Sequence, residues 1–169
     1  RTLKQQDFDS RYCEIYLDQT LTPCGYHWIF PEGEGEVNAG LGLAMVKGFP
    51  NPKNQFYQKI LPKPLFKNSR LVKGGSWYVP TRRPLDCMTG NGIIVVGDAA
   101  CQVNPIHGGG IGPSMMGGNL AGKAIVEALE NNDVSRESLW QYNREYMKSY
   151  GAKQAGLDIF RLFLLKSVG

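Results

Sequence analysis

The stretch VVGDAACQVNPIHGGGIGPSMMGG, Val95 to Gly118, decides how this chain is read. Four apolar residues, Ile93 to Val96, run into Gly97-Asp98, and Pro105 then precedes Gly108-Gly109-Gly110. A short, wholly apolar strand is the type buried on both faces of a parallel sheet. Ligands of open sheets bind at such strand ends. Gly97 lets backbone approach a ligand closely, and Asp98 offers acceptor oxygens to hydroxyl groups. Gly108 to Gly112 can turn their N–H groups outward, and a helix starting at Gly112 adds the positive end of its dipole. A strand–turn–helix connection without a ligand satisfies the same pattern, so this segment alone leaves both readings open.

Downstream, Pro113 suits a first helical turn. The spacing predicts a helix to about Glu130, ended by Asn131-Asn132. Gly117, Gly118, Ala121, Gly122, Ala124 and Ala128 make its surface small. Glycine within a helix costs ~1 kcal/mol relative to alanine, which argues for close approach to backbone or to a ligand. A second helix is expected from Ser135, its cap, to Tyr150, with Glu137 complementing the dipole. Gly151 and Gly156 are expected to interrupt the C-terminal segment.

Upstream, alternation predicts strands at Arg11–Leu17, with one buried face, at Tyr26–Phe30 and at Val37–Leu43. Turns at Thr22–Gly25 and Pro31–Gly35 would join them as an antiparallel meander. Asn51 should cap a helix over 51–61, with Pro52 in its first turn and Pro62 and Pro64 stopping it. Leu71–Val79 reads as a further strand, and Pro80–Gly92 as a linker containing Arg82-Arg83-Pro84. Tyr26, Trp28 and Phe30 alternate, so their rings share one face of the sheet. Gly40 and Gly42, also alternate, would leave space beside them. An aromatic wall beside open space suits a long apolar ligand, although an ordinary core face has the same pattern.

Composition narrows the function classes. The 169 residues carry 42% hydrophobic side chains, enough for a core. Glycine numbers 21, above the usual ~7%. The net charge of +4 is scattered, which disfavours a nucleic-acid function and leaves weak attraction to an anionic lipid surface open. Cys13, Cys24, Cys87 and Cys101 form no CxxC pair, and His27 and His107 lie far apart. No metal site is expected, and reduced thiols suit a cytoplasmic protein. No apolar run reaches the ~18 residues that span a bilayer, and the polar stretch Arg1 to Ser10 is no signal peptide.

The residues GIIVVGDAACQVNPIHGGGIGPSMMGGNLAG, Gly92 to Gly122, with RRPLD at Arg82 to Asp86, resemble the second flavin-binding motif of the geranylgeranyl reductase family. A separate stretch, YHWIFPEGEGEVNAGLG from Tyr26 to Gly42, is similar to that family's YxWxFP…GxG signature. The resemblance covers roughly residues 10 to 130. It implies a para-hydroxybenzoate hydroxylase-like flavoprotein of α+β or α/β class, with an antiparallel substrate-domain sheet and part of a Rossmann-like FAD-binding region. It implies FAD as cofactor, with Gly97 and Asp98 at the ribityl chain and Pro105, His107, Gly108, Gly109, Gly110, Ile111 and Gly112 lining the flavin. Tyr26, Trp28, Phe30, Pro31, Gly40 and Gly42 would line the substrate. The implied activity is reduction of prenyl (geranylgeranyl) double bonds in isoprenoid lipid biosynthesis, as for archaeal membrane lipids. The electron donor would be NAD(P)H or a ferredoxin. The implied location is cytoplasmic, with peripheral membrane contact open.

No GxGxxG turn opening a helix precedes Arg82, and its ribose-binding acid is missing as well. The chain therefore reads as a C-terminal portion of a reductase, inactive in isolation. Residues 1–85 would hold the substrate sheet, 86–131 the flavin segment and 132–169 the C-terminal helices. Neither His107 nor Cys101 is a convincing proton donor, so no catalytic residue is assigned. Two alternatives stand beside this reading: a flavin-dependent aromatic hydroxylase, against which the YxWxFP signature argues, and a non-catalytic prenyl-lipid-binding module, against which the GD segment argues.

Overall fold

The computed structural model describes residues 9–168; the polar N-terminal stretch through residue 8 lies outside them. The arrangement is α+β, in two compact units that divide after Ser76.

The first unit is built on a three-stranded antiparallel sheet of β1 (Glu14–Tyr16), β2 (Tyr26–Gly33) and β3 (Glu36–Gly42), in that order. The meander follows from local turn chemistry. Gly25 N–H donates to the Thr22 carbonyl at 2.9 Å, closing the first turn. The β2–β3 hairpin turns on Glu34 and Gly35, whose φ values are 49° and 77°. Positive φ at both loop residues matches the twist of the flanking strands. Pro31 lies within β2, beyond the residues of β2 that pair with β1. Its missing N–H therefore breaks no ladder bond on that side.

His27 and Ile29 of β2 and Val37 of β3 point into the core, packed with Leu21, Ile60 and Phe66. Strand β1 is shorter than expected and has no buried face: Ile15 pairs with Trp28, on the face opposite the core, and is 58% exposed. Asn51 caps α1 (Pro52–Gln55), its side chain accepting from Lys53 and Asn54 N–H. The helix then widens into a π turn at Phe56–Ile60. No strand forms at 71–79. That stretch spans the division between the units, no strand among the described residues pairs with it, and Trp77 is 91% exposed.

In the second unit, Ile93–Val96 is not a strand of a parallel sheet. Ile93 and Ile94 form β5, which pairs antiparallel with β4 (Thr89–Gly90), and Ile93 is 61% exposed. The cause is local: Asn91-Gly92 makes a two-residue hairpin loop with Gly92 at φ 67°, a turn signal that the apolar run overshadowed. Helix α2 (Ile111–Glu130) presents Gly117, Ala121, Ala124 and Ala128 to the core, where the two central alanines pack with Met88, Tyr142 and Tyr146. Gly118 and Gly122 fall on the outer side with open space around them. Ser135 caps α3 (Arg136–Tyr146) by accepting from Ser138 N–H. Gly151 closes a π turn, Met147–Gly151, leading into α4 (Ala152–Val168). Gly156 does not interrupt α4. Among the described residues no helix is long and apolar enough to cross a membrane.

Candidate functional site

The candidate residues form two groups, one in each unit. In the first unit the register pairs Tyr26 with Gly42, Trp28 with Gly40 and Phe30 with Asn38. All six occupy the face of the sheet opposite the core. Tyr26, Trp28 and Phe30 are half-buried. Their ring centroids lie 5.9 and 6.1 Å apart in succession. These aromatics are therefore a wall on the outer face and are not core packing. The space expected over Gly40 is filled, because the Trp28 indole lies across it and a Cβ there would clash with the ring. Gly42 does open space: nothing stands within 4 Å of a Cβ placed there.

Behind the wall, His27 is buried and stacks on Tyr16 at 4.4 Å. Lys63 Nζ lies 3.2 Å from His27 Nε2. The ammonium can only donate, so the imidazole proton sits on Nδ1, which is buried and meets no hydrogen-bonding group among the described residues. Burial, helped by Lys63 and opposed by Asp18, holds the imidazole below its ordinary range. The unfolded chain takes up this proton near pH ~6.5, while the folded unit resists it. The unfolded state then binds more protons, so stability falls as pH drops through ~6.5 and levels off below the folded pKa. Thermal unfolding of the full-length protein at pH 7.5 and 5.5 should show this loss, and His27→Phe, which keeps the stacking, should reduce it. An unchanged pH dependence in the variant would remove His27 as its source.

In the second unit the GD segment is a 3₁₀ turn, Gly97–Ala100, entered at φ 66° and left through Cys101 at φ 56°. Gln102 N–H donates to the Gly97 carbonyl at 3.0 Å, and Cys101 N–H to that of Asp98 at 2.9 Å. The chain then folds back on Asn104. Its Oδ1 accepts from Ile106 and His107 N–H at 2.9 and 3.3 Å, and its N–H donates to the Gly109 carbonyl at 2.9 Å. His107 Nδ1 accepts from Gly109 N–H at 3.1 Å, so this exposed imidazole organises the loop. Pro105 is buried beneath the loop's surface.

The result brings Gly97, Asp98 and Gly110 together at the start of α2. A Cβ on Gly110 would stand 3.3 Å from Asp98 Oδ1 and from Val103, and one on Gly97 would stand 3.5 Å from Ser114 Oγ. Ile111 and Gly112 are exposed in the first turn, where helical N–H groups have no intrahelical acceptor. An exposed carboxylate beside first-turn backbone donors has the chemistry that hydroxyl and phosphate groups of a nucleotide cofactor would need. Cys101 is turned inward, and burial pushes its thiol up. Among the described residues no cluster of His, Cys, Asp or Glu suits a metal ion.

What holds this segment in place was not apparent from spacing. Gln102 is fully buried. Its Oε1 accepts from Gly97 N–H at 2.8 Å, and its Nε2 donates to Tyr142 Oη at 2.5 Å. Tyr142 Oη in turn donates a hydrogen bond to the Val95 carbonyl at 3.2 Å. Gly117 has no side chain because the Gln102 amide occupies that position. Asn143 bridges Met88 N–H and the Asp86 carbonyl at 2.9 and 3.0 Å. Gln154 donates to the Arg82 carbonyl at 2.9 Å and to that of Cys101, and accepts from Tyr146 Oη at 3.1 Å. Side chains of α3 and α4 thus fasten both RRPLD and the GD turn.

Residues 1–79 match the geranylgeranyl reductase catalytic domain family. Over 166 residues the chain is 49% identical to a digeranylgeranylglycerophospholipid reductase of Sulfolobus acidocaldarius, covering 96% of this chain and 36% of that protein. The protein of the same description from Methanosarcina acetivorans is 38% identical over 147 residues, covering 86% of this chain and 36% of its own length. A crystal structure of a geranylgeranyl bacteriochlorophyll reductase-like protein from Thermoplasma acidophilum superposes with a TM-score of 0.77 at 28% identity. It covers 95% of this chain and 40% of its own. The chain thus spans well under half the length of the relatives it matches.

Proposed function

We propose that this chain, which matches the geranylgeranyl reductase catalytic domain family over residues 1–79 and is 49% identical to a digeranylgeranylglycerophospholipid reductase, belongs to that family and supplies the prenyl-holding wall and one cofactor segment of an FAD-dependent reductase. That reductase, with a para-hydroxybenzoate hydroxylase-like fold, saturates prenyl double bonds in isoprenoid lipid biosynthesis. The supporting observation is the face of β2 and β3: three half-buried aromatic rings outside the core, with open space at Gly42 on the same face. A digeranylgeranyl phospholipid, which the archaeal relatives are named for reducing, is the substrate class that such a wall accommodates.

Bound FAD supplies the hydride for this chemistry, and a redox partner must restore it. The protein's part is orientation and electrostatics. Asp98 would accept hydrogen bonds from the ribityl hydroxyls. The first-turn N–H groups of Ile111 and Gly112 face negative charge on the ligand. Gly108, Gly109 and Gly110 keep the approach open, and Pro105 and His107 shape the loop. Residues 86–131 carry this segment, and Tyr142, Asn143 and Gln154 buttress it. Tyr26, Trp28 and Phe30 hold the prenyl chain, with Gly42 leaving room beside it.

The test is Asp98→Ala in the full-length protein. Asp98 is exposed, so the fold should survive while flavin content after purification falls severalfold. A full complement of tightly held flavin in that variant would remove Asp98 from the site.

A further inference from the structure

The outer face contains one polar chain that the wall alone does not explain. Trp28 Nε1 donates to Asn38 Oδ1 at 2.9 Å, and Asn38 Nδ2 donates to Glu32 Oε1 at 3.2 Å. Asn38 is paired with Phe30 and is therefore the diagonal neighbour of Trp28 across the hairpin. Glu32 sits where the β2–β3 register shifts, between Pro31 and Gly33. Both polar side chains are exposed. An exposed hydrogen bond of this kind is worth at most about 1 kcal/mol, since water competes for both groups, and that energy goes into the orientation it selects.

An indole on an outer face can stand upright between its neighbours or lie across the adjacent strand. Gly40 permits the second pose by having no side chain under the ring. Permission does not fix an orientation. The Asn38 oxygen does, because it captures the indole's one donor. The Glu32 carboxylate orients the Asn38 amide so that its oxygen, and not its NH₂ group, faces Trp28. The arrangement also satisfies the indole N–H at the wall's edge, so an apolar chain laid on the ring displaces no unpaired donor.

We propose that Asn38, oriented by Glu32, is a positioning residue that holds the Trp28 indole flat across Gly40 in the pose that receives an apolar chain. This rests on the reading of the aromatic face as a prenyl wall. The experiment uses the full-length enzyme and a long-chain prenyl phospholipid. Asn38→Leu keeps the size and loses the acceptor. It should raise KM about 5-fold, the scale of one ~1 kcal/mol hydrogen bond, with kcat little changed. The paired variant Asn38→Asp with Glu32→Gln restores a donor–acceptor chain to the indole and should recover most of the loss. In a Trp28→Phe background, Asn38→Leu should have no further effect. An unchanged KM in Asn38→Leu, no recovery in the paired variant, or an undiminished effect in the Trp28→Phe background would each overturn the assignment. An unchanged KM in Trp28→Phe itself would overturn the prenyl-wall reading and the role of Asn38 with it, so the two failures are told apart.

Discussion

Gln102→Leu should destabilise the second unit by about 2–4 kcal/mol, since each buried group left unpaired costs ~1–3 kcal/mol. It should also release flavin from the full-length protein. The substitution keeps the side chain's bulk but removes both of its polar ends. Gly97 N–H, 2.8 Å from the amide oxygen, loses its acceptor, and Tyr142 Oη loses the donor at 2.5 Å. Tyr142 keeps its bond to the Val95 carbonyl, which limits the cost on that side. A branched leucine tip must also fit against Gly117, where the flat amide now lies. Because Gly97 begins the turn that presents Asp98, the loss should reach the cofactor segment even though Gln102 is fully buried. Gln102→Glu keeps an acceptor for Gly97 but buries a carboxyl where the amide lay, so it too should fall below the native residue. Urea denaturation followed with flavin content tests this ordering. Native stability in the leucine variant would show that the turn does not depend on Gln102.

Trp28→Ala should weaken binding of long prenyl substrates by about 1–3 kcal/mol, the value of one large side chain's burial. At ~1.4 kcal/mol per tenfold, KM rises about 5- to 150-fold. The indole spans Gly40 between Tyr26 and Phe30. Removing it therefore cuts the wall at its centre. A short prenyl chain that never reaches the ring should be affected less. The face lies opposite the core cluster of Leu21, Ile29, Val37, Ile60 and Phe66, so the melting temperature should change little and flavin content should hold. Michaelis constants for short and long substrates decide the matter. Equal losses at both lengths, with a large fall in melting temperature, would assign Trp28 to structure. Lost flavin with unchanged prenyl binding would place the aromatic strand at the cofactor.

The hairpin of β2 and β3 was readable because its determinants are close in sequence. A period of two placed Tyr26, Trp28 and Phe30 on one face, and the glycine-rich turn set the register that brings Gly40 and Gly42 opposite Trp28 and Tyr26. The same holds for the Asn51 and Ser135 caps. The strand expected at 71–79 and the buried strand expected at Ile93–Val96 failed for a shared reason. Apolar content shows that a segment can be buried, but a strand also needs a partner, and Ile93 and Ile94 found theirs across the Asn91-Gly92 loop.

Periodicity divided β2 into two faces without saying which one is the core. Leu21, Ile60 and Phe66, distant in sequence, settled that by packing on the side of Ile29 and leaving the three aromatic rings outside. Likewise the GD motif announced itself through glycine and one carboxylate, whereas its support comes from Tyr142, Asn143 and Gln154, residues 40 to 72 positions from their partners. Backbone turns and strand alternation depend on neighbours along the chain, so local spacing contains them. The choice of a core face and the satisfaction of buried polar groups depend on which remote side chains arrive there, and that is known only once the chain has packed.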